Sequence, residues 1–221
     1  MSARSFIRRH GPEGFTLLEI LIALFILGVV LTTIYAAYSG TLRVIRELDD
    51  DSRAYQMARV TIDRMSRDLS SLQRVGGAFV LQSEKSTVGR REFGALTFWS
   101  AAHLAFEEDA LPGPPASIGY FVREDQDGGF SLWRSDIAGA RPSPDKKTAG
   151  GMIICENIQA LNLKFYDESG KEFDSWDTAA GAAPQKGRPP ALVQIELILA
   201  NARDAEKHYP FMTRVFLPVR R

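Results

Sequence analysis

Residues 20–38 form a run of nineteen side chains without a charge, and the run begins directly after a carboxylate, Glu19. At about 1.5 Å rise per residue, a helix over 15–38 is long enough for a hydrocarbon core of roughly 30 Å. That requirement governs the rest of the chain: one helix belongs in lipid and the residues after it belong to one side of the membrane. Ahead of the run stand Arg4, Arg8, Arg9 and His10. By the positive-inside tendency they keep the N-terminus cytoplasmic and send everything after Tyr38 across the membrane. The run is longer than the apolar core of a cleavable secretory signal and passes directly into more helical sequence, so removal of the whole run is not expected. An ionisable group such as Glu19 is costly in a membrane segment unless it has a partner, although a position near the helix end lowers the cost. The plain alternative is that Glu19 snorkels to the interface of an ordinary signal anchor.

Gly14-Phe15-Thr16-Leu17-Leu18-Glu19 behind a short basic leader resembles the type III signal of type IV prepilins and type II secretion pseudopilins. The resemblance implies that a prepilin peptidase cuts between Gly14 and Phe15 on the cytoplasmic side, N-methylates Phe15 and leaves the helix attached. It also implies that Glu19, then the fifth residue, meets the N-terminal amine of a neighbouring subunit in an assembly contact. The expected organisation is a leader over 1–14, a transmembrane helix segment over 15–38, an amphipathic continuation over 39–76 and a periplasmic β-rich domain over 77–221.

The continuation rests on Leu42, Ile45, Leu48, Tyr55, Ala58, Ile62, Met65, Leu69 and Leu72, spaced by threes and fours among charged residues. Such a stripe needs a covering surface, most economically the globular part of the same chain. Asp49-Asp50-Asp51-Ser52 reads as a solvated face or a local break, and Gly76-Gly77 as the helix end. Beyond it the period becomes strand-like, with strands expected over 78–82, 95–100, 117–123, 130–135, 152–155, 160–167, 192–200 and 212–217. Asp127-Gly128-Gly129 and Glu168-Ser169-Gly170-Lys171 mark tight turns. No helix-length segment separates the strands, which excludes a parallel sheet with crossover helices. The fold class is therefore α+β: a long N-terminal helix, half transmembrane and half amphipathic, packed on antiparallel β-sheets. Loops are expected over 103–116, 138–151 and 178–190.

With 27 basic and 27 acidic side chains there is no net field to attract nucleic acid. The single cysteine, Cys155, cannot form an internal disulfide and in its apolar setting reads as a small buried hydrophobe. His10, His103 and His208 are scattered, no nucleophile, base and orienter lie close together, and zinc-type ligand spacings are absent. Neither a catalytic residue, a metal site nor a cofactor is expected. Asp125-Gln126-Asp127-Gly128-Gly129 opens like a calcium loop but lacks the closing glutamate and suits a hairpin better. Asp167, Glu168, Glu172, Asp174 and Asp177 around Trp176 read as a solvated turn.

Along the body, Arg67-Asp68-Leu69, Leu96-Thr97-Phe98, Tyr120-Phe121-Val122, Leu132-Trp133-Arg134, Glu156-Asn157-Ile158, Leu161 to Asp167, Trp176 and Pro189 to Leu197 occur in an order and spacing that resemble the minor pseudopilin J family of type II secretion. The stretch 178–190 is longer and richer in glycine and alanine than that family leads one to expect, and Cys155 has no counterpart in it. The resemblance implies a pilin-like fold and a single-pass inner-membrane protein. It implies a place at the tip of a periplasmic pseudopilus, with prepilin peptidase, minor pseudopilins I and K and further pseudopilus subunits as partners. Two alternatives stand beside it: a type IV minor pilin that primes pilus assembly, and a membrane-anchored periplasmic enzyme or binding domain.

Overall fold

The computed structural model of the chain describes residues 14–103, 115–139, 150–201 and 206–217. The leader with His10, most of the loops over 103–116 and 138–151, and the last four residues of the β-rich body lie outside the described residues. Two units divide between Asp49 and Asp50.

One helix, α1 (Leu17–Ser70), runs for 54 residues and passes through Asp49, Asp50 and Asp51 without a break. Every residue from 14 to 41 is exposed. The hydroxyls in this stretch turn back on the helix: Thr32 Oγ1 donates to the Gly28 carbonyl at 2.7 Å and Thr33 Oγ1 to that of Val30 at 2.8 Å. Bonds of this kind satisfy a hydroxyl without water and suit apolar surroundings.

The expected cover of the amphipathic stripe is only half present, because Ile45 and Leu48 are exposed whereas Ala54, Ala58, Thr61, Met65, Asp68 and Leu69 are buried. The helix also stops earlier than Gly76-Gly77. The Leu72 N–H closes a last turn on the Leu69 carbonyl at 3.1 Å, and Leu72 then makes an isolated bridge to Ser100 while the Gln73 N–H donates to the Trp99 carbonyl at 3.0 Å, so the chain leaves the helix there. Gly76 and Gly77, with φ of 59° and 86°, instead form the turn between β1 (Arg74–Val75) and β2 (Ala78–Phe79), a conformation that glycine adopts at little cost.

Two larger antiparallel sheets follow. The first contains β3 (Leu81–Val88), β4 (Arg91–Ser100), β5 (Ala116–Glu124), β6 (Phe130–Ala138) and β7 (Met152–Cys155), hydrogen-bonded in sequence order. The second contains β8 (Ile158–Tyr166), β9 (Glu172–Phe173), β10 (Leu192–Ala200) and β11 (His208–Phe216), in the order β11-β10-β8-β9. β10 alternates strictly, with Val193, Ile195, Leu197 and Leu199 buried, which is the period-two signature of a half-buried strand. These residues share one core with Met65 and Leu69 of α1 and with Leu96, Phe98, Ile118 and Leu132 of the first sheet. Gly94 lets β4 approach β8: a β-carbon there would lie 3.0 Å from Leu163 Cγ and 3.1 Å from the Leu161 carbonyl oxygen.

The strand expected over 78–82 is two strands, and the one expected over 95–100 begins at Arg91. A hairpin at Gly89-Arg90 joins the polar Gln82–Val88 segment to β4. Pro210 sits inside β11, at the sheet edge where a missing N–H is tolerated. The glycine- and alanine-rich stretch 178–190 is tied to the body: the Gly187 N–H donates to the Thr178 carbonyl at 2.8 Å, and Trp176 Nε1 donates to the Arg188 carbonyl at 2.9 Å.

Candidate functional site

The sequence points to the first turn of α1. Thr16 is the residue before the helix, and its hydroxyl oxygen accepts from the Glu19 N–H at 3.3 Å while its carbonyl accepts from the N–H groups of Glu19 and Ile20 at 3.1 and 3.3 Å. Thr16 is therefore an N-cap, three positions ahead of a glutamate, an arrangement that fixes where the helix begins and favours negative charge in its first turn. The Thr-x-x-Glu spacing carries this information locally, beyond the assembly role expected for Glu19. Phe15 is 79% exposed and Gly14 is also exposed, so the bond between them is accessible. Glu19, Ala23 and Leu27 follow one another at four-residue steps and line a shallow groove with Phe15, Ile20 and Leu24. Gly28 has nothing within 4 Å of its β-carbon position, leaving room for another helix to approach.

The second constellation joins α1 to the first sheet and brings together residues from three of the body patterns. Asp68 is fully buried, and its Oδ2 accepts from Tyr120 Oη at 2.6 Å and from Arg134 Nε at 2.6 Å. Arg64 Nη2 lies 2.8 Å from Asp68 Oδ1 and donates to the Ala102 carbonyl at 2.7 Å. Arg134 reaches on through Nη1 to Asp136 Oδ2 at 2.8 Å, and His103 Nδ1 lies 2.6 Å from Asp136 Oδ1. The register places Tyr120 opposite Arg134 on neighbouring strands, so both aim at the same turn of α1. Burial opposes the charge on Arg134, but the bonds to Asp68 and Asp136 outweigh it and hold the guanidinium pKa above its ordinary value. Burial, reinforced by the adjacent Asp68, holds the Tyr120 phenol well above its ordinary range, so it stays a donor. These carboxylates and guanidiniums pair with one another as a polar clasp between α1 and the first sheet, with Arg64 Nε left without a hydrogen-bond partner among the described residues and the Arg64 and His103 side chains each 25% exposed.

Sequence reading also missed Asp51. Its carboxylate accepts from Lys207 Nζ at 2.7 Å and from the Tyr209 hydroxyl, and these bonds, Lys207's first, hold its pKa below the ordinary aspartate value. Of the acidic residues around Trp176, Asp167 Oδ1 accepts from the Ser169 N–H and hydroxyl and from the Lys171 N–H. Glu172 pairs with Lys164 and accepts from Tyr166, and Asp177 caps Ala179 and Ala180. Three of the five therefore anchor their own turns locally, while Glu168 and Asp174 are exposed, as expected of a solvated turn. Asp125 and Gly129 close the β5–β6 hairpin, the Asp125 N–H donating to the Gly129 carbonyl at 2.8 Å. Cys155 is 1% exposed, and burial pushes its thiol up to about 11. Among the described residues no group of three or more His, Cys, Asp and Glu side chains could hold a metal ion. An open cleft of about 710 Å³ near Trp176 is lined by Arg74 and Arg188 but also by Asp167 and Glu168, which leaves it without a dominant charge.

Residues 10–35 match the prokaryotic N-terminal methylation motif. Among solved structures, a chain of the crystal structure of the GspK-GspI-GspJ complex from the enterotoxigenic Escherichia coli type 2 secretion system is similar, with 15% identity and a TM-score of 0.46 over 76% of this chain and 99% of that chain. No curated protein matches the chain.

Proposed function

We propose that the chain is a minor pseudopilin of a type II secretion system, part of the pseudopilus tip complex that initiates assembly for export across the outer membrane. The observation that carries the reading is the N-terminal methylation motif over residues 10–35, opening a helix that is long and apolar enough to cross a membrane. The body supports it through the pattern resemblance to minor pseudopilin J, and in this chain Asp68, Tyr120 and Arg134 from three of those patterns meet in one buried clasp. In this reading prepilin peptidase removes residues 1–14 and methylates Phe15, and the helix stays in the inner membrane with the body in the periplasm. Glu19 is satisfied by the N-terminal amine of a neighbouring subunit, since a carboxylate near a membrane surface favours a cationic partner. The protein performs no chemistry; it associates through its helix with minor pseudopilins I and K and nucleates further subunits. A type IV minor pilin shares the N-terminal motif and is the nearest variant.

Affinity purification of the full chain from membranes of cells that also carry candidate minor pseudopilins I and K tests the reading. Both should elute with the chain, and Glu19→Val should lower their recovery about tenfold or more, the effect of losing a charge pair in apolar surroundings. Recovery with pilus assembly components and none with secretion pseudopilins would contradict it.

A further inference from the structure

Each large sheet ends on two strands, and an uncovered strand edge is a row of backbone donors and acceptors that will pair with another strand. The chain treats its four edges differently. At β3, the Leu81 N–H donates to Thr178 Oγ1 at 2.9 Å, the Thr178 N–H to the Leu81 carbonyl at 3.0 Å, and the Ser83 N–H to the Trp176 carbonyl at 2.8 Å, so that edge is plugged by 176–178. β7 has four residues, and its Ile154 carbonyl accepts from Thr61 on α1 at 2.9 Å. β9 has only two. β11 has nine residues, all in register with β10, and among the described residues no strand pairs with its other side.

Side chains from α1 reach only the beginning of β11. Asp51 holds Lys207 and Tyr209, and the Tyr55 ring stands edge-on to Tyr209 and Phe211 at centroid distances of 6.2 and 5.2 Å. Beyond that point Met212 is 62% and Phe216 75% exposed, with Arg214 exposed between them on the same face. No carboxylate occurs from Lys207 to Leu217; Lys207 is paired with Asp51, and Arg214, whose Nε donates to Gln194 Oε1 on β10 at 2.9 Å, is the exposed cation within 212–216. Two copies paired antiparallel over 212–216 would set Arg214 against Arg214, which is unfavourable across neighbouring strands. Acidic side chains on a different partner would complement it.

We propose that residues 212–216 of β11 form a docking edge for an extended segment of another protein, one with acidic and apolar side chains in alternation. Backbone pairing supplies the contact, Met212 and Phe216 give apolar rests on one face, and Arg214 selects the charge. Pro210, which has no N–H to offer, limits pairing on its N-terminal side. The inference does not depend on which assembly the anchor serves.

Residue-resolved amide exchange of the full chain in detergent micelles, with capped heptapeptides at about 1 mM as probes, tests it. Alternate amides over 212–216 point away from β10 and should exchange freely in the chain alone, while those pointing toward β10 stay slow. A peptide alternating valine with glutamate should slow the outward set, and do so roughly twofold to fivefold more than one alternating valine with lysine. In Arg214→Glu the preference should reverse, with the inward amides still slow as the check that β11 remains folded. Outward amides already protected in the chain alone, no slowing by either peptide, or equal slowing by both in the native chain and in the variant would each overturn the proposal.

Discussion

Asp68 accepts a phenol and a guanidinium on one oxygen at zero exposure, and truncating one member of such a group leaves buried charge without its partner. Asp68→Ala is expected to cost about 3–5 kcal/mol, and Asp68→Leu combined with Arg134→Met to recover a large part of that. Urea unfolding of the full chain in micelles, followed by tryptophan fluorescence, measures both; equal losses in the single and double variants would mean the clasp is not a coupled unit. Cys155 gives a pH dependence with a definite sign. Its folded pKa of about 11 lies above the ordinary 9.0, so the folded state holds the proton more tightly and its contribution is fully present below pH 9. That contribution, about 2–3 kcal/mol, is lost as pH rises toward 11. Cys155→Ala should flatten the fall in urea midpoint between these limits, leaving the parts due to Tyr120, Tyr166, Tyr209, Lys164 and Lys207, whose pKa values are also raised; an unchanged slope would show that the thiol does not titrate there. Little of the clasp is legible in the sequence, because Tyr120 and Arg134 lie 52 and 66 positions from Asp68 and no local pattern announces a contact at that range. Thr16 and Glu19 are three positions apart, and there the spacing alone announces the cap.

Elements with a strong period were legible and those without one were not. The alternation of β10 follows directly from burial of one face, and α1 follows from its uninterrupted run of apolar and then amphipathic residues. β3 carries Gln82, Ser83, Glu84, Lys85 and Ser86, and such a segment becomes a strand because β4 pairs with it, not because its own side chains ask for it. The end of α1 was misplaced for a related reason: Gly76-Gly77 is a strong turn signal, but the chain had already left the helix at Leu72 and Gln73. The segment from Trp176 to Thr178 closes the edge of β3, with the Trp176 ring 1% exposed and edge-on to Phe173 at 5.3 Å. Trp176→Ala is expected to cost about 3–5 kcal/mol and to loosen this edge first. In amide exchange the N–H groups of Leu81 and Ser83 should accelerate more than those of β5 and β6; uniform acceleration would show that the plug has no local role.

At the scale of the whole molecule, the chain assigns separate work to its two units. In the first, the apolar side chains over 15–38 are exposed and the hydroxyls of Thr32 and Thr33 bond to helix carbonyls, the economy of a segment that meets lipid. In the second, a closed core surrounds a buried clasp in which Asp68, Arg134 and Asp136 pair with one another. The function proposed above joins these to the N-terminal motif: in that proposal Gly14 and Phe15 are a processing site, and the helix that follows is retained behind a methylated Phe15. Mass spectrometry of the N-terminal peptide of the membrane-bound protein tests this most directly. The account predicts a chain that begins at methylated Phe15 and retains the whole run through Tyr38; a chain that begins at Met1, or at a site beyond Tyr38, would contradict it.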